Sequence, residues 1–317
     1  MTRAPMPRAP APQPRRIAIS IGDPNGIGPE IAVKAARKFA GGSVEPVLVG
    51  DPFVIREYGG EGLSIAPVNA LESGGFDPGR IDPRAGAATV AYVREAVRLV
   101  NAGEVAAIVA CPQSETAINS AGIKFSGYAG LLAELTGTPD EEVFLMLVAA
   151  GMRIAHVTLH ESVRSALGRI TTERVVAAGL AAVKAVRRLG VANPRLGVFG
   201  INPHAGEGGL FGDDDDRIVV PAVRRLKDAG VLADGPVGAD VMLSQRKHDV
   251  YLAMFHDQGH IPMKLLSPLR SSALSIGTPV LFSSVGHGSA HDIAGKGVAD
   301  PISVIETFAL LSGAAAH

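Results

Sequence analysis

The stretch Ile17-Ala18-Ile19-Ser20-Ile21-Gly22-Asp23-Pro24-Asn25-Gly26-Ile27-Gly28-Pro29-Glu30 decides the fold class. An apolar run of strand length breaks at a turn of Gly, Asp, Pro and Asn, and a helical pattern follows from about Ile27 to Phe39. The same alternation continues outward from it. Pro46–Val49 reads as a strand, Thr89–Val100 as a helix, and Val105–Ala110 as a strand ending at Cys111-Pro112. Val143–Val148 and Ile154–Leu159 read as strands separated by a turn at Gly151. Glu173–Leu189 is an amphipathic helix rich in Ala and Val. Arg195–Ile201, Val250–Phe255 and Val280–Val285 are further strands, and Ile302–Leu311 closes the chain as a helix. Strands alternating with helices imply an α/β fold with mostly parallel sheets flanked by helices. The Pro/Gly/Asp-rich stretch 74–84 reads as a long loop, and no fixed-period repeat is present.

Composition narrows the function classes. The chain has 317 residues, a formal net charge of -1, 47% hydrophobic and 19% charged residues, the profile of a soluble globular protein. A nucleic-acid partner would call for a basic excess, and 4% aromatic residues with no Trp supply few stacking platforms. The lone Cys111 allows no intramolecular disulfide, which suits a reducing cytoplasm, and its place at the end of an apolar run marks it as a small buried hydrophobe. Residues 1–16, rich in Pro, Ala and Arg, lack the apolar core of a signal peptide and read as a disordered tail. No apolar stretch of membrane-spanning length is uninterrupted.

Five motifs could carry chemistry. Gly22–Glu30 joins a strand to a helix N-terminus, a place that favours anions, but it has neither the G-x-G-x-x-G spacing nor a Walker lysine, so a tight structural turn accounts for it equally well. His160, His204 and His256 each stand at or just beyond a strand end, where ligands gather in parallel α/β sheets. Three imidazoles there would form an open divalent site, although the long spacings match no short metal motif, and a lone histidine is more often structural. Lys264, eight residues after His256, could hold a carboxylate or move a proton, or stand as a solvated surface lysine. Gly286–Pro301, with His287, Gly288, Ser289, Ala290, Asp292 and Gly295, could wrap an adenosine in backbone amides. Its Ser/His/Asp content lacks the G-x-S-x-G elbow of a hydrolase. Asp213–Asp216 reads as a solvated helix N-terminus, with carboxylates complementing the dipole.

Together these motifs resemble the 4-hydroxythreonine-4-phosphate dehydrogenase (PdxA) family from Ile17 to about Leu311. The matching stretches are GDPNGIGPE at 22–30, FSGY at 125–128, LAELTG at 132–137, NPHAGEGG at 202–209, AMFHDQG at 253–259 and HGSAHDIAGKGVADP at 287–301. The first and last also resemble the corresponding segments of isopropylmalate dehydrogenases. The resemblance implies a two-lobed, isopropylmalate-dehydrogenase-like fold. The cofactor-side lobe would be 17–120 with 271–317, and the metal, substrate and dimerisation lobe 121–270. It implies an NAD-dependent oxidoreductase acting on a small carboxylate substrate, as a homodimer with active sites at the interface. A divalent metal (zinc, or iron, magnesium, manganese or cobalt) would sit on His160, His204 and His256. Lys264, Asp257 and Asp240 would stand beside it, and His287, Gly288, Ala290, Asp292 and Gly295 would hold the nicotinamide nucleotide.

The departures from the vitamin B6 enzyme cluster on substrate recognition. Tyr128-Ala129 stand where that enzyme has His-Thr, Ala273 where it has Asn, and Phe282 where it has Arg. Phe cannot replace an Arg that binds phosphate through paired hydrogen bonds. CPQSETAI at 111–118, HVTLHESVRSAL at 156–167, QRKHD at 245–249 and HDQGHIPMKLL at 256–266 are similar to the branch acting on terephthalate dihydrodiol. This resemblance implies oxidative decarboxylation of an unphosphorylated cyclic diol dicarboxylate in a pocket lined by Tyr128 and Phe282. The alternatives are phosphohydroxythreonine or another hydroxy acid within the family, and, more remotely, a metal-dependent hydrolase or a binding protein.

Overall fold

The computed structural model describes residues 15–268 and 270–313. The strands are β1 Arg15–Ser20, β2 Val44–Gly50, β3 Ile65–Pro67, β4 Ile108–Ala110, β5 Phe144–Ala149, β6 Met152–His156, β7 Arg195–Phe199, β8 Leu232–Val237, β9 Val250–Ala253, β10 Ser272–Ile276 and β11 Phe282–Val285. They form one mixed sheet in the order β3-β2-β1-β4-β11-β10-β5-β6-β9-β7-β8. The fold is α/β with mostly parallel pairing, as the sequence implies.

The direction of the strands organises the molecule. β3, β2, β1, β4 and β11 form one parallel block. β6, β9, β7 and β8 form a second. Between them β10 is antiparallel to both β11 and β5, and β5 is antiparallel to β6, so the two blocks run in opposite directions. Strands from residues 15–110 and 272–285 make up one end of the sheet, and strands from 144–253 the other.

β1 and β4 are covered on both faces, which is why Ile17, Ile19, Ile108, Val109 and Ala110 are all fully buried and read as continuous apolar runs. Helices Gly28–Phe39, Pro83–Asn101 and Ile302–Ser312 pack on this block. Asp82 caps the second of these by accepting from the Arg84 amide, and Thr171 caps helix Thr172–Arg188 by accepting from the Arg174 amide.

Several expectations shift. The tail expected over 1–16 falls outside the described residues except for Arg15 and Arg16, which belong to β1 and pair with Val44 and Glu45. The strand expected over Val105–Ala110 begins only at Ile108, although the Ala106 amide already donates to the Arg16 carbonyl of β1. β8 contains Gly235 and Pro236, which weigh against a strand, but it is the last strand of the order, where a missing amide donor is tolerated. Among the described residues no helix is long and apolar enough to cross a membrane.

The Gly22–Glu30 turn is a clamp on the 287–301 loop. The Ile27 amide donates to the Ser289 carbonyl at 2.9 Å, and a Cβ on Gly26 would meet Ser289 at 2.8 Å. The buried Glu30 carboxylate accepts from the Ala299 amide at 2.9 Å and from Lys34 Nζ at 2.6 Å. Lys34 Nζ also donates to the Gly297 and Ala299 carbonyls. The structural reading of this turn is therefore the one the fold uses. Glu30→Ala would strand the Ala299 amide, and we expect a loss of about 1–3 kcal/mol in unfolding free energy. Urea denaturation showing a loss below about 0.5 kcal/mol would contradict this role.

Candidate active site

Helix His256–Leu266 leaves the C-terminal end of β9 and packs back across β5 and β6. His256, His260 and Lys264 recur every fourth residue and so share one face. The His256 and His260 rings stack with centroids 3.7 Å apart. His160, on the segment after β6, lies 5.4 Å from His256 between ring centroids and 6.5 Å from His260. The His256 Nδ1–H donates to Asp257 Oδ1 at 2.7 Å, which leaves Nε2 as the lone-pair nitrogen. His260 and, beneath it, His156 complete a four-imidazole cluster, since their rings are 4.7 Å apart. Burial, reinforced by neighbouring imidazoles, pushes His156 down to about 3 and His260 down to about 4.

A cavity of about 450 Å³ opens beside this cluster, over the antiparallel seam of the sheet. Leu145, Leu147, Ala273 and Ser275 form its floor, and Tyr128 and Ala129 a wall. His160, His260 and Lys264 stand on one side, with Gly286, His287 and Gly288 facing them. Lys264 Nζ donates to the Gly286 carbonyl at 3.1 Å, linking the two sides. His160 also borders a second cavity of about 280 Å³ with His256 and Asp257. Of the residues singled out in the sequence, His160, Lys264, Tyr128, His287 and Gly288 thus border one cavity, whereas His204, Asp240, Phe282, Ala290, Asp292 and Gly295 do not.

Phe282 does not line it. Phe282 and Ser284 lie on the same face of β11, but Phe282 is fully buried, covered by Tyr128, while Ser284 borders the cavity. Phe282 packs behind Tyr128 at 5.0 Å between ring centroids, and Phe125 meets Tyr128 edge-on at 5.8 Å. The Tyr128 hydroxyl donates inward to the Cys111 carbonyl at 3.1 Å. Burial raises both the Tyr128 and the Cys111 pKa, and Cys111 is the buried hydrophobe expected of it.

His204 stands apart. It follows β7, next to β9 in the sheet, so His160, His204 and His256 do occupy the C-terminal ends of three adjacent parallel strands. Its side chain is 70% exposed and contacts Glu207 and Phe211. Among the described residues no three His, Cys, Asp or Glu side chains are grouped to hold a metal. Asp240 is on the His204 side: a Cβ on Gly238 would lie 2.8 Å from Asp240 Oδ1 and 3.8 Å from the His204 Cα. The loop bearing His204 has positive φ at His204, Ala205, Gly206, Glu207, Gly208 and Gly209, a conformation costing about 1–2 kcal/mol at each non-glycine residue. Asp215 braces it. Its buried carboxylate accepts from the Ile201 amide at 2.7 Å and the Asn202 amide at 2.9 Å. The acidic run is therefore not simply a solvated helix end. Asp213 and Asp216 are exposed, but Asp215 points inward.

In the 287–301 loop, Gly288, Asp292 and Gly295 are exposed, and Ala290 has φ of 41°. Asp23 is buried and its pKa is raised by burial, an effect opposed by the Asn25 amide and by His291, whose Nε2 lies 3.1 Å from Asp23 Oδ2. This pair ties the loop a second time to the first turn.

Residues 31–311 match the family described as pyridoxal phosphate biosynthetic protein PdxA. The chain belongs to the PdxA family. It is 52% identical, over 94% of its length and 97% of the relative, to 1,2-dihydroxy-3,5-cyclohexadiene-1,4-dicarboxylate dehydrogenase of Comamonas sp. A crystal structure of a terephthalate 1,2-cis-dihydrodiol dehydrogenase from Burkholderia xenovorans LB400 is 48% identical with a TM-score of 0.78, over 94% of this chain and 98% of that one. A 4-hydroxythreonine-4-phosphate dehydrogenase from Klebsiella pneumoniae is 33% identical with a TM-score of 0.83, over 94% and 98%. This PdxA-family chain is accordingly an oxidoreductase.

His156 and His260 were not singled out from the sequence. The available signal was the four-residue spacing of His256, His260 and Lys264. Nothing local placed His156 under them. Burial of His156 has a pH consequence. An unfolded chain protonates it below about 6.5, whereas the fold keeps it neutral to about 3. Its contribution to stability is therefore complete above about pH 6.5 and is lost as the pH falls. We expect the unfolding free energy of metal-free protein to drop by about 1.4 kcal/mol per pH unit from this residue between about pH 6 and 4. The half-exposed His260 adds less. Chemical denaturation of His156→Gln should show a flatter acid limb, and an unchanged limb would refute the assignment.

Proposed function

We propose that the chain is a divalent-metal- and NAD-dependent dehydrogenase that oxidises the secondary hydroxyl of a cyclic cis-diol dicarboxylate and then releases CO2. The observation that carries this reading is the cavity. Tyr128, Ala129, Ala273, Leu145 and Leu147 make it largely apolar, and among the described residues no arginine borders it and Lys264 is its one lysine. A phosphate substrate needs paired, charge-assisted hydrogen bonds of about 1.5–3 kcal/mol each, and these walls do not supply them. A ring with two carboxylates fits one cation and an apolar bed. The two relatives named for a dihydrodiol support the same substrate class.

The donor set fits a divalent ion. His160 and His256 are neighbours, and Asp257 holds His256 in the tautomer a ligand needs. Imidazole donors suit zinc, iron or cobalt better than magnesium. When bound, such an ion would acidify the substrate hydroxyl, and the nicotinamide would accept hydride from the carbinol carbon. Lys264 would hold a ring carboxylate, and Asp257, Asp240 or Lys264 would handle the hydroxyl proton. The ketone formed lies β to a carboxylate, so loss of CO2 leaves 3,4-dihydroxybenzoate, with aromaticity as the driving force. Asp292, exposed on the 287–301 loop, suits a pair of ribose hydroxyls and would repel a 2′-phosphate, which favours NAD.

A second copy of the chain would complete the metal site. His204 is separate from the His160–His256 pair, and the elements around all three carry exposed apolar residues: Val163 at 68%, Leu210 at 71% and Leu265 at 79%. Such a surface is usual at a homodimer interface.

Incubation with the diol dicarboxylate and NAD should give NADH, CO2 and 3,4-dihydroxybenzoate in equal amounts. NADH formation only with phosphohydroxythreonine would overturn the substrate assignment. The shared site has its own test. His204→Ala and His256→Ala should each abolish activity, and refolding them together should restore about a quarter of the wild-type value, because half of the mixed dimers' sites are intact. No recovery in verified mixed dimers would place both ligands on one subunit.

A further inference from the structure

The two histidines beneath the expected metal ligands form a directed hydrogen-bond chain. His156 Nδ1 faces the Leu145 carbonyl at 3.3 Å, and a carbonyl can only accept, so Nδ1 carries the proton. Buried and neutral, His156 then offers Nε2 as an acceptor. His260 Nδ1 lies 3.2 Å from that Nε2 and 3.3 Å from the His256 carbonyl, two acceptors, so it too carries the proton. His260 Nε2 is left as a bare lone pair with no hydrogen-bond partner among the described residues, on a residue that borders the cavity together with His160 and Lys264. Gly259 makes the arrangement possible, since a Cβ there would lie 2.2 Å from His156 Nε2.

Resting on the function proposed above, we propose that His260 is a substrate-binding residue whose Nε2 accepts a hydrogen bond from the second hydroxyl of the diol, and that His156 is the positioning residue that fixes its tautomer. The inference deepens the substrate assignment. His160 and His256 face the hydroxyl that is oxidised, Lys264 faces a carboxylate, and His260 is the acceptor that distinguishes a vicinal diol from a simple hydroxy acid. A protonated or Nε2–H imidazole would present a donor instead, which a hydroxyl could also meet. The fixed tautomer therefore makes a definite, checkable statement about which atom bears the hydrogen.

Two ring-saturated probes test it by calorimetry on metal-loaded, nicotinamide-free enzyme: cis-1,2-dihydroxycyclohexane-1,4-dicarboxylate and the counterpart lacking the tertiary hydroxyl. The wild type should bind the diol about tenfold more tightly, the worth of one hydrogen bond. His260→Phe should abolish that preference while both probes still bind, and His260→Gln, which keeps an acceptor, should restore part of it. Gly259→Ala, which displaces His156 without altering either histidine, should shrink the preference. A purely structural role for His260 would weaken both probes equally and leave their ratio unchanged. Nitrogen-15 spectra of histidine-labelled protein, assigned with His260→Gln, should show His260 protonated at Nδ1. An Nε2–H tautomer, or a probe ratio unmoved in His260→Phe, would overturn the inference. If the wild type nonetheless oxidises the diol, the proposed function stands. If the wild type neither binds the probes nor oxidises the diol, both fail.

Discussion

The pairing of β10 with β5 joins two parallel blocks that would otherwise have no common edge. Ser272–Ile276 bonds Phe144–Val148 along its whole length, and β10 and β5 in turn bond β11 and β6. Because all three pairings from β11 to β6 are antiparallel, the blocks point in opposite directions. The cavity lies over Leu145, Leu147, Ala273 and Ser275 of these two strands, beside Tyr128 and Ala129 of helix Tyr128–Thr136 and His260 and Lys264 of helix His256–Leu266. The Ala150-Gly151 hairpin, with φ of 48° and 75°, makes the reversal from β5 to β6 in the fewest residues.

The loops around the cavity are held by buried carboxylates. Glu30 holds the Ala299 amide, Asp23 faces His291, and Asp215 holds the Ile201 and Asn202 amides. Asp51 holds the Ala70 and Leu71 amides and accepts from the Tyr92 hydroxyl at 2.5 Å. A carboxylate accepting such bonds is satisfied inside the fold, and removing it strands donors that water cannot reach. The His204 loop shows why this is needed. Its left-handed backbone is costly at His204, Ala205 and Glu207, and the bracing from Asp215 offsets part of that strain.

Within the imidazole cluster, His156 and His260 are held in the neutral form. Burial disfavours the charged form at His156 and His260, and each neighbour adds repulsion. Neutral rings can then sort donors from acceptors in a single direction, from the Leu145 carbonyl outward to the cavity. Neutrality is also the state in which His160 and His256 can act as ligands.

Much of this was legible in the order of residues. Runs such as Ile17–Ile21 and Val105–Ala110, separated by amphipathic helices, determine an α/β sheet, because burial on both faces demands unbroken apolar strands. The long motifs at 22–30, 156–167, 202–209, 256–266 and 287–301 carry the family resemblance, and through it single out His160, His204, His256 and Lys264. What tertiary structure alone decided has a common cause: it depends on contacts between residues far apart in the chain. Phe282 shares a face of β11 with Ser284, and only the packing of Tyr128 over it leaves Phe282 buried while Ser284 borders the cavity. The edge position of β8 permits a strand through Pro236. The separation of His204 from His160 and His256 follows from the path of a strained loop, which no spacing encodes. His156 lies 104 residues before its partner His260, and only the packing of helix His256–Leu266 onto β6, through the space left by Gly259, brings the two nitrogens together.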